Sequence, residues 1–332
     1  MSCPVCSSKS TKTITTISSQ RSAIFFSAGQ SPNKQKKLER LISKLWSWRK
    51  SCNIVKCSNC GFIFSEPYVG GTKEFYDLAF QNQDKSSYPD WKWEFDIGIS
   101  RLKKSSKYNP KILEIGCGRG AFLKRISKLK ISKNLIGLEY SDYGIKETKK
   151  IGIDCFAKDL REFASNQPNE TFDFVFIFQV LEHLDYTNKL FQLVSNLLKK
   201  GGELIIAVPN PKKSSFNFKN NCYRDIPPHH IGCYVERTFE YLANNHGFSL
   251  EMVKIEPYNF RETASLLYAQ RYHRFIQKNY KNRFLLKMVN YNICRKLIMY
   301  SDLIFNPMIL LRLIFQGPNI GGGSQVAVFS KL

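Results

Sequence analysis

Leu113-Glu114-Ile115-Gly116-Cys117-Gly118-Arg119-Gly120 is the stretch on which the fold turns. An apolar run ends in three glycines at alternate positions, and a helical pattern begins at Ala121. Glycines spaced in this way let the backbone pass close beneath a ligand, and the helix start behind them offers free N–H groups. A tight strand-to-helix turn would need no more than such a loop, so the surroundings decide. Moving outward, short apolar runs alternate with helical patterns. Strands are expected at 111–115, 135–138, 153–157, 172–178, 202–208, 250–255 and, after a long gap, 324–330. Runs such as Phe174-Val175-Phe176-Ile177-Phe178 are apolar on both faces, which marks parallel strands covered by helices on each side. The expected fold class is α/β with a seven-stranded sheet, and such a sheet binds its ligand at the carboxyl ends of the strands, where strand order reverses.

Three features sit at those ends. The second expected strand stops at Glu139, 23 residues after Gly116, where a carboxylate can accept both hydroxyls of a ribose. Asp159 follows the third, where a side chain can meet an adenine edge. The fourth runs into Phe178-Gln179-Val180-Leu181-Glu182-His183-Leu184 at the mouth of the same crevice.

Glu114 to Gly120, Glu139, Asp159-Leu160, Phe172 to Val175 leading into Val180 to Leu184, and Leu197-Leu-Lys-Lys-Gly-Gly-Glu-Leu204 together resemble the successive motifs of class I S-adenosylmethionine-dependent methyltransferases. They cover nearly all of 111–255. The resemblance implies a Rossmann-like sheet with S-adenosylmethionine as methyl donor. It implies further that the glycine loop lies under the methionine part, that Glu139 binds the ribose, and that Asp159 and Leu160 flank the adenine. Glu114, Gly116, Gly118, Gly120, Tyr140 and Gln179 complete the candidate cofactor set. A dinucleotide dehydrogenase would want GxGxxG, whereas Gly116, Gly118 and Gly120 give GxGxG.

Ten cysteines in 332 residues are too few for a disulfide scaffold, and no signal peptide opens the chain, so a reduced, cytoplasmic protein is expected. Four of the ten form Cys3-Pro-Val-Cys6 and Cys57-Ser-Asn-Cys60. A two-residue spacer lets one knuckle aim both sulfurs the same way, which suits tetrahedral structural zinc. Gly61-Phe62-Ile63-Phe64 continues the second pair as a turn and strand, as in a zinc ribbon. The gap from Cys6 to Cys57 is longer than a compact ribbon needs, Cys52 is a possible substitute ligand, and a redox dithiol is the competing use.

The resemblance narrows at Asp225-Ile-Pro-Pro-His-His-Ile-Gly-Cys-Tyr234. Zinc-ribbon methyltransferases of polysaccharide and natural-product clusters have a similar run over the methyl-donor pocket. In the related sugar C-methyltransferases a tyrosine and a Glu-His pair occupy it. Here Pro227 and His229 replace the tyrosine and glutamate, and that branch's extra C-terminal domain is missing, which disfavours C-methylation. A hydroxyl acceptor benefits from a base, for which His230 is the first candidate and His229 the second. The alternative is that these histidines only tie down a loop, and His183 and Cys117 are expected to be structural.

The chain carries a net charge of +23. Residues 1–50 hold 10 basic and 1 acidic residues (+9) and 256–318 hold 10 and 3 (+7), while 111–255 hold 21 and 16 (+5). The excess is therefore local. Leu38, Leu41, Ile42 and Leu45 form an apolar stripe within 34–50, and 271–296 and 297–315 mix basic, aromatic and apolar residues. Basic amphipathic helices can lie on an anionic bilayer, or can pack inside the protein or on a second subunit. The resulting division is a zinc-ribbon module at 1–66 interrupted by a basic helical insertion (10–52), and a linker or helical cap at 67–110. The methyltransferase domain is placed at 111–255 and 319–332, with a basic amphipathic helical insertion at 256–318. The expected reaction is O-methylation of a sugar, glycan or other small molecule, with a lipid-linked acceptor fitting a membrane-facing enzyme. A ribosomal or transfer RNA methyltransferase and an idle zinc-ribbon binding protein are the other readings. Gln179-Val-Leu-Glu stands where base N-methyltransferases carry an Asn/Asp-Pro-Pro-aromatic run, which disfavours an exocyclic amine acceptor.

Overall fold

The computed structural model describes residues 2–27, 31–81, 89–219, 225–259, 275, 279, 282 and 319–332. The stretches 271–296 and 297–315 lie outside them except at three positions.

The N-terminal part opens with β1 (Thr11–Ser18), α1 (Ser19–Phe26), α2 (Pro32–Leu45), β2 (Ser51–Cys57), β3 (Ile63–Glu66) and α3 (Lys73–Ala79). Helix α4 (Trp93–Lys104) leads to the first central strand, β4 (Ile112–Ile115). Then follow α5 (Ala121–Lys128), β5 (Leu135–Leu138), α6 (Asp142–Lys150), β6 (Asp154–Phe156), α7 (Leu160–Ser165) and β7 (Phe172–Phe178). The rest is α8 (Thr187–Leu197), β8 (Leu198–Pro209), α9 (Pro211–Lys219), β9 (Gly232–Cys233), α10 (Glu236–His246), β10 (Phe248–Ile255) and β11 (Ser324–Lys331).

All seven expected strands form one sheet, in the order β10-β11-β8-β7-β4-β5-β6. The third is shorter than expected and the fifth longer, since β8 starts at Leu198. β4 to β8 are mutually parallel and β11 runs antiparallel to β8 and β10. Every residue of β7 is buried, as its unbroken apolar run requires. Strand β4 has β5 on one side and β7 on the other, so order reverses there and a crevice opens at their carboxyl ends.

The expectation of a purely helical insertion at 10–52 is corrected. Thr11–Ser18 is a strand, because alternating β-branched threonines suit a pleated surface better than a helix. β1 pairs antiparallel with β2, Thr11 opposite Cys57, in a four-stranded sheet ordered β1-β2-β3-β9. This pairing closes the long gap between the cysteine pairs, because α1 and α2 form the return that lays Cys57 beside the chain leaving Cys6.

Ser31 caps α2 by accepting the Lys34 N–H, and Pro32 sits in its first turn. The apolar stripe of α2 faces inward. Leu38, Ile42 and the following Trp46 are fully buried with Ala23, Phe26 and Phe75. Of the three arrangements expected for this helix, packing inside the protein is the one that this burial matches. Among the described residues no helix is long and apolar enough to cross a membrane. The 67–110 stretch contributes α3 to this N-terminal core and α4 to the central sheet, where Phe95, Ile99 and Leu102 pack with Phe122 and Phe176.

Candidate functional site

Gly116, Gly118 and Gly120 have φ of +74°, +55° and +72°, the left-handed region that strains an L side chain. A Cβ on Gly116 would lie 2.3 Å from Val180 Cγ2, and one on Gly120 2.9 Å from Thr148 Oγ1. Above Gly118 nothing lies within 4 Å. Packing thus demands the outer two glycines, while the middle one borders open space. Gly120 caps α5 with no side-chain hydrogen bond, so the first-turn N–H groups of that helix remain available. Cys117 lies beneath the loop, where its sulfur would be 2.5 Å from a Cβ on Gly137, a packing role as expected from its small size.

Glu139 is set at the rim of this loop. Its Oε2 accepts the Gly118 N–H at 2.8 Å, and its Oε1 accepts those of Tyr140 and Ser141 at 3.0 and 2.8 Å. Asp159 accepts from the Tyr140 and Tyr186 hydroxyls at 2.7 and 3.2 Å and from the Arg161 guanidinium and amide. Burial alone would raise its carboxyl, but the Arg161 side chain, the Tyr140 hydroxyl and the Arg161 amide outweigh it and hold the group at about 2. Leu160 is buried behind it. Gln179, at φ +58°, donates to Ser324 Oγ at 2.6 Å and Glu94 Oε1 at 3.2 Å. Glu114 is buried, burial pushes it well above the usual carboxylate range, and its Oε2 has no partner among the described residues. Room over Gly118, uncapped helix amides, a fixed carboxylate and an orphaned buried oxygen fit S-adenosylmethionine.

Because the Asp159 carboxyl is depressed, its contribution to stability is present above pH 3.8 and is lost as pH falls through about 2. Acid unfolding of the wild type and of Asp159→Asn, followed by circular dichroism, is expected to differ above pH 4 and to converge between pH 4 and 2.

The four knuckle cysteines come together. Cys3 and Cys60 sulfurs lie 3.6 Å apart and those of Cys6 and Cys57 3.4 Å, with all four within 4.8 Å of one another. Four sulfurs around a tetrahedral centre at about 2.3 Å lie about 3.8 Å apart, so the set fits zinc with small adjustment. The Cys60 side chain, outweighing burial, and the N–H groups of Cys6 and Val5 pull the Cys3 thiol down to about 5. Cys52 is not in this group. It is buried in the α2 core, where burial pushes its thiol up to about 12.

At the carboxyl end of β7 the chain enters a 3-10 turn, Leu181–His183, against which the 225–231 loop packs. The Ile231 N–H donates to the Glu182 carbonyl and the Ser65 N–H to the Ile231 carbonyl, both at 2.9 Å. His183, His229 and His230 thereby form one cluster, with ring centroids 4.4 to 4.7 Å apart. His183 Nδ1 contacts the His229 carbonyl at 2.7 Å and the Tyr76 hydroxyl at 3.3 Å. His230 Nδ1 lies 3.2 Å from Asp225 Oδ1, an approach too oblique for a good hydrogen bond. Burial lowers the His230 pKa, yet Asp225 and, less, Glu182 outweigh this and leave it raised. Burial and the neighbouring His230 push His183 down to about 3. Glu182, almost fully buried with both oxygens unpartnered, is pushed up to about 7 by burial.

The N-terminal part walls this cluster. Phe26, Tyr76 and Phe80 surround His229 with ring centroids 6.0, 5.7 and 5.2 Å away, and Ser22 Oγ donates to the Pro227 carbonyl at 3.0 Å. The sequence reading missed Tyr76, Phe80 and Phe26. Glu182 and Asp225 stood inside quoted motifs without a role, and His183, expected to be structural, joins the two histidines chosen for chemistry.

A family model described as a methyltransferase domain matches residues 94–253. The mitochondrial ubiquinone biosynthesis O-methyltransferase of Candida albicans is 28% identical over 106 residues, 30% of this chain, and the match spans 32% of that relative's length. Among solved structures, a SAM dependent methyltransferase from Archaeoglobus fulgidus is similar at 21% identity, over 71% of this chain and 94% of its own, with TM-score 0.45. Geranyl diphosphate C-methyltransferase from Streptomyces coelicolor is similar at 10% identity, over 72% and 78%, with TM-score 0.43. The part that matches the methyltransferase domain model, residues 94–253, runs from α4 into β10 and carries the glycine loop, Glu139, Asp159 and the histidine cluster.

Proposed function

We propose that the protein is an S-adenosylmethionine-dependent methyltransferase that methylates a hydroxyl of a sugar, glycan or other small molecule. The observation that carries the acceptor side is the histidine cluster at the carboxyl end of β7, with Asp225 behind His230. Methyl transfer is an in-line displacement at an already activated sulfonium, so the protein's main task is alignment. Glu139 would receive the ribose, Asp159, Leu160 and Tyr140 would border the adenine, and the glycine loop would lie under the methionine part. Gln179 and Glu114 would close the inner wall. A hydroxyl must also lose its proton. His230 is the group to take it, since the nearby Asp225 carboxylate makes its imidazole more basic. Ser65, Ser214, Asp225 and His230 are the polar residues of a mainly apolar cleft that Ile54, Ile63, Phe64 and Ile231 also line. The Candida albicans relative, by its name an O-methyltransferase, supports oxygen as the acceptor atom. Zinc on Cys3, Cys6, Cys57 and Cys60 would be structural, because four thiolates leave no open position.

The test is methyl transfer from labelled S-adenosylmethionine to a panel of hydroxylated nucleotide sugars by wild type and His230→Ala. On an accepted sugar, His230→Ala is expected to lower kcat about 10²–10⁴-fold with S-adenosylhomocysteine affinity unchanged. The wild-type rate should fall as pH drops through a pKa above the ordinary histidine value. A wild-type rate in His230→Ala at saturating acceptor contradicts the assignment, and label found in co-purified RNA instead of sugars contradicts the acceptor class.

A further inference from the structure

Four buried polar atoms that make no hydrogen bond to the described residues sit at the histidine cluster: His229 Nδ1, His230 Nδ1, which only faces Asp225 Oδ1 at 3.2 Å, and both carboxylate oxygens of Glu182. A buried polar atom left without a hydrogen bond is costly, so a concentration of them in one place implies a missing ligand. Each of the three rings offers a nitrogen, and these lie within 4.8 Å of one another. We propose that His183, His229 and His230 hold a divalent cation of the imidazole-preferring class, represented by Zn²⁺, with one coordination position left for an oxygen of the acceptor. The site is separate from the cysteine cluster and rests on the methyltransferase reading for the nature of that last ligand. In the cation-loaded protein it takes over from His230 as the means of removing the proton, since a ring nitrogen bound to the ion has no lone pair left and the ion itself makes the acceptor hydroxyl more acidic.

The geometry around the rings suits this use. Nitrogens on a tetrahedral ion at about 2.0–2.1 Å lie about 3.4 Å apart, so each ring has to shift by less than about 1 Å. Two rings are already oriented from behind, as metal-binding histidines are. The His229 carbonyl accepts from His183 Nδ1 at 2.7 Å, which fixes the tautomer and leaves Nε2 with its lone pair. Asp225 Oδ1 faces His230 Nδ1 at 3.2 Å, in reach of the carboxylate-histidine arrangement once the ring turns. Glu182 Oε1 lies 3.8 Å from His183 Nε2 and places a carboxyl group beside the site. The side chains of His183 and His230 keep 21% and 15% of their surface exposed, so the position is reachable from solvent. Phe26, Tyr76 and Phe80 supply a largely apolar wall on the His229 side. Three histidines with an open fourth position form a catalytic type of site, where a bound oxygen is held and made more acidic.

The experiment uses the full chain loaded with zinc, titrated with cobalt chloride and read by visible absorption and by metal content. The expected result is a second metal equivalent beyond the one on cysteine, with cobalt d–d bands that lack a thiolate-to-cobalt charge-transfer band. His183→Ala and, as a milder change, His229→Gln should each lose that equivalent while keeping the first. A wild type that takes up one equivalent only, or cobalt bands that always carry thiolate charge transfer, overturns the proposal. S-adenosylhomocysteine binding, measured on the same samples by calorimetry, separates failure of the metal site from failure of the methyltransferase reading, because the glycine loop binds with or without the cation.

Discussion

Gly118→Arg is expected to abolish binding of S-adenosylhomocysteine while leaving the protein folded. The open space above Gly118 is where the methionine part of the cofactor would lie, and an arginine there fills it. Gly118 also donates its N–H to Glu139, so a displaced loop would move the ribose acid as well. The backbone strain of a side chain at φ +55° costs about 1–2 kcal/mol, and its Cβ would meet no neighbour within 4 Å. Gly116→Ala makes the contrast. Its Cβ would meet Val180 Cγ2 at 2.3 Å, so that variant should lose stability first and binding as a consequence. Calorimetric titration with thermal melts of both variants separates the two effects. Unchanged affinity in Gly118→Arg would remove the glycine loop from the cofactor site.

The second large effect concerns the cysteine cluster. Structural zinc contributes folding free energy outright, with apparent binding energies of about 10–16 kcal/mol in small zinc modules, against a usual total stability of about 5–15 kcal/mol. Cys57 ends β2, where Thr11 pairs with it, and belongs to the largest buried core. Cys57→Ser should therefore lose the metal, lower Tm by about 10 °C and expose the N-terminal segment to protease. Since Phe26, Tyr76 and Phe80 wall His229, methyl transfer should fall with it. Cofactor binding should persist, because Gly116 to Gly120, Glu139 and Asp159 are all on the central sheet. Full stability in a metal-free protein would contradict the structural role.

What the sequence made legible follows from how far each signal reaches along the chain. Phe172–Phe178 declares a doubly covered strand in seven residues, and Gly116, Gly118 and Gly120 declare a turn in five, so the sheet and its loop could be read locally. Strand β11 was legible even beyond a long insertion, because its apolar run Val326-Ala327-Val328-Phe329 is self-contained. Strand β1 was not, since the basic residues around it suggested a helix and its threonines pair only with β2, which is distant in sequence. The histidine cluster was half legible. His229 and His230 stand together in the chain, but His183 reaches them from 46 residues away and Tyr76 reaches His183 from 107. Such contacts arise because the 225–231 loop bridges β3 and the turn after β7, a closure no local pattern announces.

The most direct measurement of the central claim is backbone hydrogen exchange with and without S-adenosylhomocysteine. Saturating ligand is expected to slow exchange at Gly116 to Gly120, at Tyr140 and Ser141, and around Asp159 and Leu160, the segments that meet at the carboxyl ends of β4, β5 and β6. Protection absent from these segments, or confined to the N-terminal sheet, would contradict it.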